Sequence, residues 1–200
     1  MQDPWFKPLV WMDYKLALLF TLIIPLILLI WAFVGKMEAI QRLLIIYWRV
    51  ASLLAITIYL MIAAIPISFI SGILARILIP ISVWFWTDIN EEINDLPARP
   101  LKLALTSWRW AISVYCTLSA IAQIPFLGCA ISARQAVLEN PSCRVWLDPP
   151  WAYKLLFHPQ PGNQGFLGFL GVVGLIIYVA YFGYFLFVRL AKEGRTAIEQ

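Results

Sequence analysis

Residues 67–100 read ISFISGILARILIPISVWFWTDINEEINDLPARP, and this stretch decides the class of fold. The part from 67 to 86 is apolar enough to enter a bilayer, although Arg76 stands at its middle and Pro80 follows one turn later. A helix needs about 20 apolar residues to cross the hydrocarbon of a membrane. Residues 67–86 therefore predict a membrane-spanning helix, or a re-entrant segment if the arginine and the proline interrupt it.

The composition of the whole chain also indicates a membrane location. Of its 200 residues, 62% are hydrophobic and only 13% are charged, whereas soluble domains carry about 25% charged residues. We predict an all-α integral membrane protein with a single membrane domain, 1–200, and about five transmembrane helices, or four if 67–86 is re-entrant. The predicted spans are residues 16–34, 43–65, 67–86, 101–127 and 166–188.

The basic residues lie near the ends of these spans, where they orient the chain and do not point to a nucleic-acid partner. With five spans, nine lysines and arginines fall on the side of connector 36–42, loop 87–100 and the C-terminus, and five fall on the other side. The C-terminus is therefore expected to be cytoplasmic, with the N-terminus and loop 128–165 luminal or periplasmic. Cys129 and Cys143 lie in this loop and could form a disulfide, which persists on the oxidising side of a membrane.

Arg76 is the most unusual residue, because a central arginine costs at least about 2.5 kcal/mol on insertion. No acidic residue lies within a predicted span, so we expect no internal acid partner. Arg76 then binds an anionic lipid, a cofactor carboxylate or phosphate, or an acid of another protein, or else it donates to carbonyls freed around Pro66 and Pro80. Arg49 and Arg109 lie closer to span ends, where their side chains can extend to the headgroups. Arg76, Arg49 and Arg109 are the three arginines that we consider candidates for docking a partner or a lipid.

Four carboxylates follow the central apolar stretch at helical spacing, which puts them on one face of a surface helix. They are Asp88, Glu91, Glu92 and Asp95. Because hard cations prefer oxygen ligands, Asp88, Glu91 and Asp95 are candidate metal ligands, and the simpler alternative is a solvated helix that docks a basic partner. Arg76 and Asp88 are about 18 Å apart along a helix, so the buried arginine and the acidic face are two separate features.

The segment DINEEINDLPARP resembles the first aspartate-rich motif of the UbiA-type prenyltransferases. This resemblance implies a metal-dependent enzyme that handles prenyl or lipid diphosphates with these acids and Arg99. The sequence lacks the second aspartate-rich motif of that family, and Thr87 stands in place of its asparagine.

The last predicted span combines small and aromatic residues. Glycine recurs at every third position over residues 165–174, and a helix rich in Tyr and Phe follows. Glycines let another backbone approach closely, either within the chain or on a partner. The aromatic half could instead contact ring-bearing lipids, quinones or pigments of a neighbouring complex.

Several stretches that together cover nearly the whole chain carry a second resemblance. They are PWFKPLVWMDYKLALLF, KMEAIQRLLIIYWRVASLL, LARILIPISVWFWTDINEEI, RPLKLALTSWRWA, CRVWLDPP and GFLG…YFLFVRLAKEGR. The chain resembles an uncharacterised cyanobacterial family of multipass membrane proteins, a domain of unknown function of about 200 residues. The resemblance implies a thylakoid or plasma membrane of a photosynthetic host, and it brings no known catalytic residues.

These observations together favour a non-catalytic accessory or assembly factor that docks on a photosystem-related membrane complex through its helices and its luminal loop. The alternatives are the diphosphate-handling enzyme and a small membrane carrier with Arg76 as a substrate ligand. No cofactor follows from the motifs. Groups that an interface with a partner could hold are lipids, carotenoids and chlorophyll, and the expected partners are a larger membrane complex and membrane lipids.

Overall fold

The computed structural model describes residues 4–196, and these residues form helices and connecting turns without any strand. Four helices are long and apolar enough to cross a membrane, and a bent pair of helices raises the number to as many as five. The all-helical membrane fold is thus confirmed. In chain order, the helices are α1 (Lys7–Val34), α2 (Glu38–Ile62), α3 (Ser68–Trp84), α4 (Thr87–Asp95), α5 (Pro100–Ala130), α6 (Arg134–Glu139), α7 (Pro141–Arg144), α8 (Asp148–Phe157) and α9 (Gln164–Lys192).

Residues 67–100 form the bent pair, in which α3 and α4 are inclined to one another by 53°. Pro80 lies inside α3 without ending it, so the break falls after Trp84 and not at the proline. The last carbonyl groups of α3 have side-chain donors at this break. The Arg109 guanidinium donates to the carbonyl of Val83, and the Asn90 amide donates to that of Trp84 over 3.0 Å. Because these carbonyls are paired, the helix can end here without leaving them unsatisfied.

The core of the bundle lies between α1, α2, α3 and α5. Its fully buried side chains include Tyr47 of α2, Ile79 of α3 and Leu105 of α5. Helix α9 packs along α2 at the edge of the bundle. Over residues 164–184 it buries only Leu167, Gly168 and Gly171, so most of its surface faces outward.

Helix α1 changes from α to π geometry at Leu18–Ile23, directly before Pro25. Because Pro25 has no N–H, the carbonyl of Thr21 loses its helical donor. The Tyr47 hydroxyl of α2 donates to that carbonyl over 2.7 Å. The indole N–H of Trp108, on α5, donates to the neighbouring carbonyl of Phe20 over 2.9 Å. Two adjacent helices therefore supply the donors that the interrupted segment lacks, as a bilayer interior requires.

We expect Tyr47→Phe to lower the free energy of unfolding by about 1 kcal/mol, because it removes one buried hydrogen bond and keeps the ring. Denaturant unfolding of the full chain in detergent micelles measures this change. Tyr184→Phe is the matched control, since the Tyr184 ring is exposed. Equal stability of the two variants would show that the hydroxyl contributes nothing at Thr21.

The segment after α5 forms a cap over one end of the bundle. The predicted disulfide between Cys129 and Cys143 is present, with a sequence separation of 14 residues. A loop of this length gains about 3 kcal/mol when it is closed, through the lower entropy of the unfolded chain. Both cysteines are buried in an apolar cluster that includes Val10 of α1 and Phe69 of α3. The cap is thereby packed onto the helices below it.

The contacts of the cap and of α4 define the two ends of the bundle. At the cap end, Trp151 donates to the carbonyl of Ile62 at the end of α2 over 3.2 Å, and Lys7 pairs with Asp148 over 3.4 Å. At the opposite end, the guanidinium of Arg195 donates to the carbonyl of Phe85 over 2.8 Å. The start of α1 and the cap therefore share one end, and α4 and the C-terminal part of α9 share the other.

Candidate functional site

The central feature of the bundle interior is an ion pair between Arg76 of α3 and Asp13 of α1. Arg76 Nη2 lies 2.8 Å from Asp13 Oδ2, and the arginine is only 8% exposed. A charge buried in apolar surroundings is costly without a partner, and the carboxylate supplies the opposite charge. The pair therefore brings two helices together around a neutral centre.

Helix α5 completes the set of hydrogen bonds around this pair. Arg76 Nε donates to Ser119 Oγ over 2.7 Å, and Nη1 donates to Gln123 Oε1 over 3.2 Å. The Tyr115 hydroxyl donates to Asp13 Oδ1 over 2.9 Å, and the Ser119 hydroxyl donates to the same oxygen. We call these five side chains, Asp13, Arg76, Tyr115, Ser119 and Gln123, the Arg76 network. It joins α1, α3 and α5 by charged and polar contacts.

The expectation that Arg76 lacks an internal acid partner is wrong. It placed Asp13 in a headgroup segment ahead of a first span that began at residue 16. Helix α1 begins at Lys7 instead, so Asp13 belongs to the membrane helix and faces α3. The alternative, bonds to carbonyls freed around Pro66 and Pro80, is not seen among the described residues, where the only backbone carbonyl that accepts from Arg76 is that of Gly72, at 3.2 Å.

A sequence signal for this network existed on α5. Tyr115, Ser119 and Gln123 recur at a spacing of four residues, which aligns them on one helix face. All three are polar and lie inside an apolar span. Such a polar stripe predicts a buried hydrogen-bonding surface for a charge on another helix.

Arg109 of α5 is buried inside the bundle, whereas its position near a span end predicted a side chain that extends to the headgroups. The residue is 4% exposed, and its guanidinium lies 3.9 Å from the ring centroid of Trp84. It donates to the Val83 carbonyl, as described above, and to Asn90 Oδ1 over 2.6 Å. Arg109 therefore holds the break between α3 and α4.

Arg49 of α2 has the opposite environment, because its side chain is exposed. Among the described residues, its hydrogen-bond partner is the Tyr181 hydroxyl of α9 at 3.4 Å. That distance is long for a hydrogen bond. Of the three candidate docking arginines, Arg49 is thus the one that remains accessible.

The four carboxylates lie on helix α4, where Ile89 and Ile93 face the core. Both oxygens of Glu92 accept from Arg42 Nη2 of α2, at 2.9 and 2.7 Å, while Glu91 and Asp95 are exposed. Arg76 and the acidic helix thus have different partners, as their separation along the chain predicts. Within residues 4–196, no group of three or more His, Cys, Asp or Glu side chains is arranged to hold a metal ion.

These residues form an internally hydrogen-bonded interior, in which Asp13 balances the charge of Arg76. The guanidinium groups of Arg76 and Arg109 are occupied by acceptors on neighbouring helices, and Glu92 is occupied by Arg42. Such contacts fix helix positions and exclude alternative packings, which is the best-supported role of buried polar groups. Of the candidate docking residues, Arg49, Glu91 and Asp95 are the exposed charged side chains.

This arrangement of long apolar helices around a buried ion pair defines a polytopic α-helical membrane protein. Residues 7–198 match the family described as "Protein of unknown function (DUF3177)", and the chain belongs to this family. No curated protein and no solved structure matches the chain.

Proposed function

We propose that this protein is a non-catalytic accessory or assembly factor that docks on a larger, photosystem-related complex in a photosynthetic membrane. The observation that carries the proposal is the outward surface of α9. This helix packs along one neighbour, α2, and presents large apolar side chains on its remaining surface. These exposed residues include Phe166, Phe169, Leu170, Ile176, Ile177, Val179 and Phe187. A continuous aromatic and aliphatic helix face is suited to pack against the helices of a partner.

The carrier and enzyme alternatives are less well supported, because Arg76 already has partners and the described acids of α4 do not converge on a common point. A carrier that uses Arg76 as a substrate ligand would have to displace Asp13, Ser119 and Gln123 from the guanidinium. A diphosphate-handling enzyme would need convergent carboxylates, but Glu92 is paired with Arg42. Docking needs neither residue to be free.

Two further surfaces support docking at the ends of the bundle. At one end, the exposed carboxylates Glu91 and Asp95 offer contacts to a basic partner. At the other end, the cap exposes Leu155, Leu156 and Phe157 at the end of α8. Apolar residues in this position can insert into the membrane interface or contact an adjoining subunit.

We assign the cap end to the lumen or periplasm and the end with α4 to the cytoplasm. The basic residues support this orientation, because nine of them belong to the α4 side of the predicted topology and five to the cap side. The disulfide supports it independently, because such bonds persist on the oxidising side of a membrane. The proposed location is the thylakoid, or the plasma membrane, of a cyanobacterial host.

Site-specific photo-crosslinking in native membranes tests the proposal. A photoreactive residue at Phe169 of α9 is compared with one at Leu118 of α5, since the two side chains are 62% and 63% exposed. We expect Phe169 to form a discrete adduct with one protein subunit and Leu118 to react with lipid. Similar lipid adducts from both positions, together with recovery of the tagged chain as a lone monomer in mild detergent, would refute docking through α9.

A further inference from the structure

A groove of about 600 Å³ lies between α2, α3 and α9, at the end of the bundle that carries α4. Volumes of this size are typical of sites for small molecules and lipid groups. The walls are mainly apolar and aromatic, with Ile45 on α2, Leu78 on α3, and Phe182 and Phe185 on α9. The groove is not part of the Arg76 network, which lies on the other side of α3 toward α1 and α5.

Three arginines also line this groove. Arg42 and Arg49 are seven residues apart on α2 and therefore lie on the same helix face about 10 Å apart along the axis. Arg189 adds a third guanidinium from α9. Among the described residues that line the groove there is no aspartate or glutamate. Glu92 lies outside this lining and accepts from Nη2 of Arg42.

The guanidinium groups of Arg42 and Arg49 retain donors for a ligand. Arg42 Nε is buried and has no hydrogen-bond partner among the described residues. Arg49 makes only the long contact to the Tyr181 hydroxyl. A buried donor without an acceptor costs free energy, and so does an exposed arginine within a membrane helix. Both costs fall if an anion occupies the groove.

We propose that this groove binds one membrane lipid with an anionic headgroup. The headgroup oxygens accept hydrogen bonds from Arg49 and Arg42, because guanidinium groups form charge-assisted and often bidentate bonds with such oxyanions. The hydrocarbon chain lies along the apolar wall formed by Leu78 and Phe182. A lipid is the occupant that fits, since it combines a negative charge with long apolar chains and reaches the groove from the bilayer. This site does not depend on the docking role of α9.

The test is lipid binding to the purified, delipidated full chain, measured by native mass spectrometry. Phosphatidylglycerol and phosphatidylcholine with identical acyl chains are titrated separately, and glycerol phosphate is added as a competitor that has no chains. We expect one saturable phosphatidylglycerol site, weaker binding of phosphatidylcholine, and little competition by glycerol phosphate. Efficient competition by glycerol phosphate would instead identify a site for the free anion and would overturn the lipid proposal.

Substitutions locate the site on the protein. Arg49→Gln should weaken phosphatidylglycerol binding at least about tenfold, because it removes a charge-assisted contact. Arg134→Gln, at an exposed arginine of the cap, is the matched control and should bind as the unchanged chain does. Leu78→Trp, which fills the apolar wall, should weaken both lipids. Equal binding by the Arg49 and Arg134 variants, with unchanged unfolding in the absence of lipid, would overturn the proposal.

Discussion

Asp13→Asn is expected to lower the free energy of unfolding by about 3 kcal/mol or more, because Arg76 then keeps its charge inside the bundle without a counter-ion. Asparagine has nearly the shape of aspartate and can still accept from Tyr115 and Ser119 through its oxygen, but its amide nitrogen replaces the acceptor of Arg76 Nη2. The loss therefore reports the missing charge and the missing hydrogen bond to Arg76, and not a packing defect. Arg76→Gln should cost a similar amount, since it leaves the Asp13 carboxylate unpaired. Denaturant unfolding in detergent micelles measures both variants.

The double variant Asp13→Asn/Arg76→Gln tests whether the two charges act as a pair. We expect it to cost clearly less than the sum of the single variants, because neither charge is then left alone. Glu91→Gln and Arg134→Gln remove exposed charges of the same types, and each should change stability by no more than about 0.5 kcal/mol. Additive costs in the double variant would contradict a coupled ion pair.

Gly168→Ala is expected to destabilise the protein by about 1–3 kcal/mol, which is the usual cost of inserting a methyl group into a close-packed contact. A Cβ at Gly168 would overlap the Cβ of Ala63, at the end of α2. At Gly171, one turn further, a Cβ would lie 3.0 Å from the backbone nitrogen of Leu60. The helices α2 and α9 must therefore separate to accept the methyl group. Unfolding measurements in micelles report the cost.

Gly183→Ala is the matched control for this substitution. Gly183 also lies within α9, but a Cβ there would meet nothing within 4 Å. It should be neutral or slightly stabilising, because alanine favours a helix over glycine by up to about 1 kcal/mol. Ala63→Gly combined with Gly168→Ala should recover part of the loss, since it removes the overlapping methyl group. If Ala63→Gly recovers no stability, or if Gly168→Ala and Gly183→Ala have equal effects, then α2 and α9 do not approach closely at Gly168.

The apolar runs of the sequence predicted where most of the membrane helices lie. The helical spacing of the four acids also predicted a short surface helix, and the acids lie on α4. The break after Trp84 was not predictable, because it depends on donors from Arg109 and Asn90, and the second of these lies beyond the break itself. Periodicity describes the faces of single helices and does not show which distant side chain will satisfy a carbonyl at a helix end.

The interior site was only partly predictable. Arg76 was identified from its position in an apolar stretch, since a central charge is costly there. Its partner was missed because Asp13 stands among Lys, Trp and Tyr residues that are typical of a headgroup segment. The side chain of Arg109 was expected to extend to the headgroups because the residue lies near a span end. It instead packs on the ring of Trp84, a contact that the sequence does not show. The two cysteines were an easier case, since they lie close in sequence in a single loop.

The apolar runs of the sequence were enough to predict a helical membrane protein, because a bilayer demands long apolar segments with internally satisfied backbones. The two loop cysteines predicted only that a disulfide could form, and the folded structure contains it. The partner of each charge is evident only from the folded structure. Arg76 pairs with Asp13 and Arg42 pairs with Glu92, whereas Arg49 remains at an open groove. These pairings depend on the rotation of each helix about its axis and on its shift along its neighbours. An apolar pattern identifies a membrane-spanning segment, but it specifies neither the rotation nor the shift.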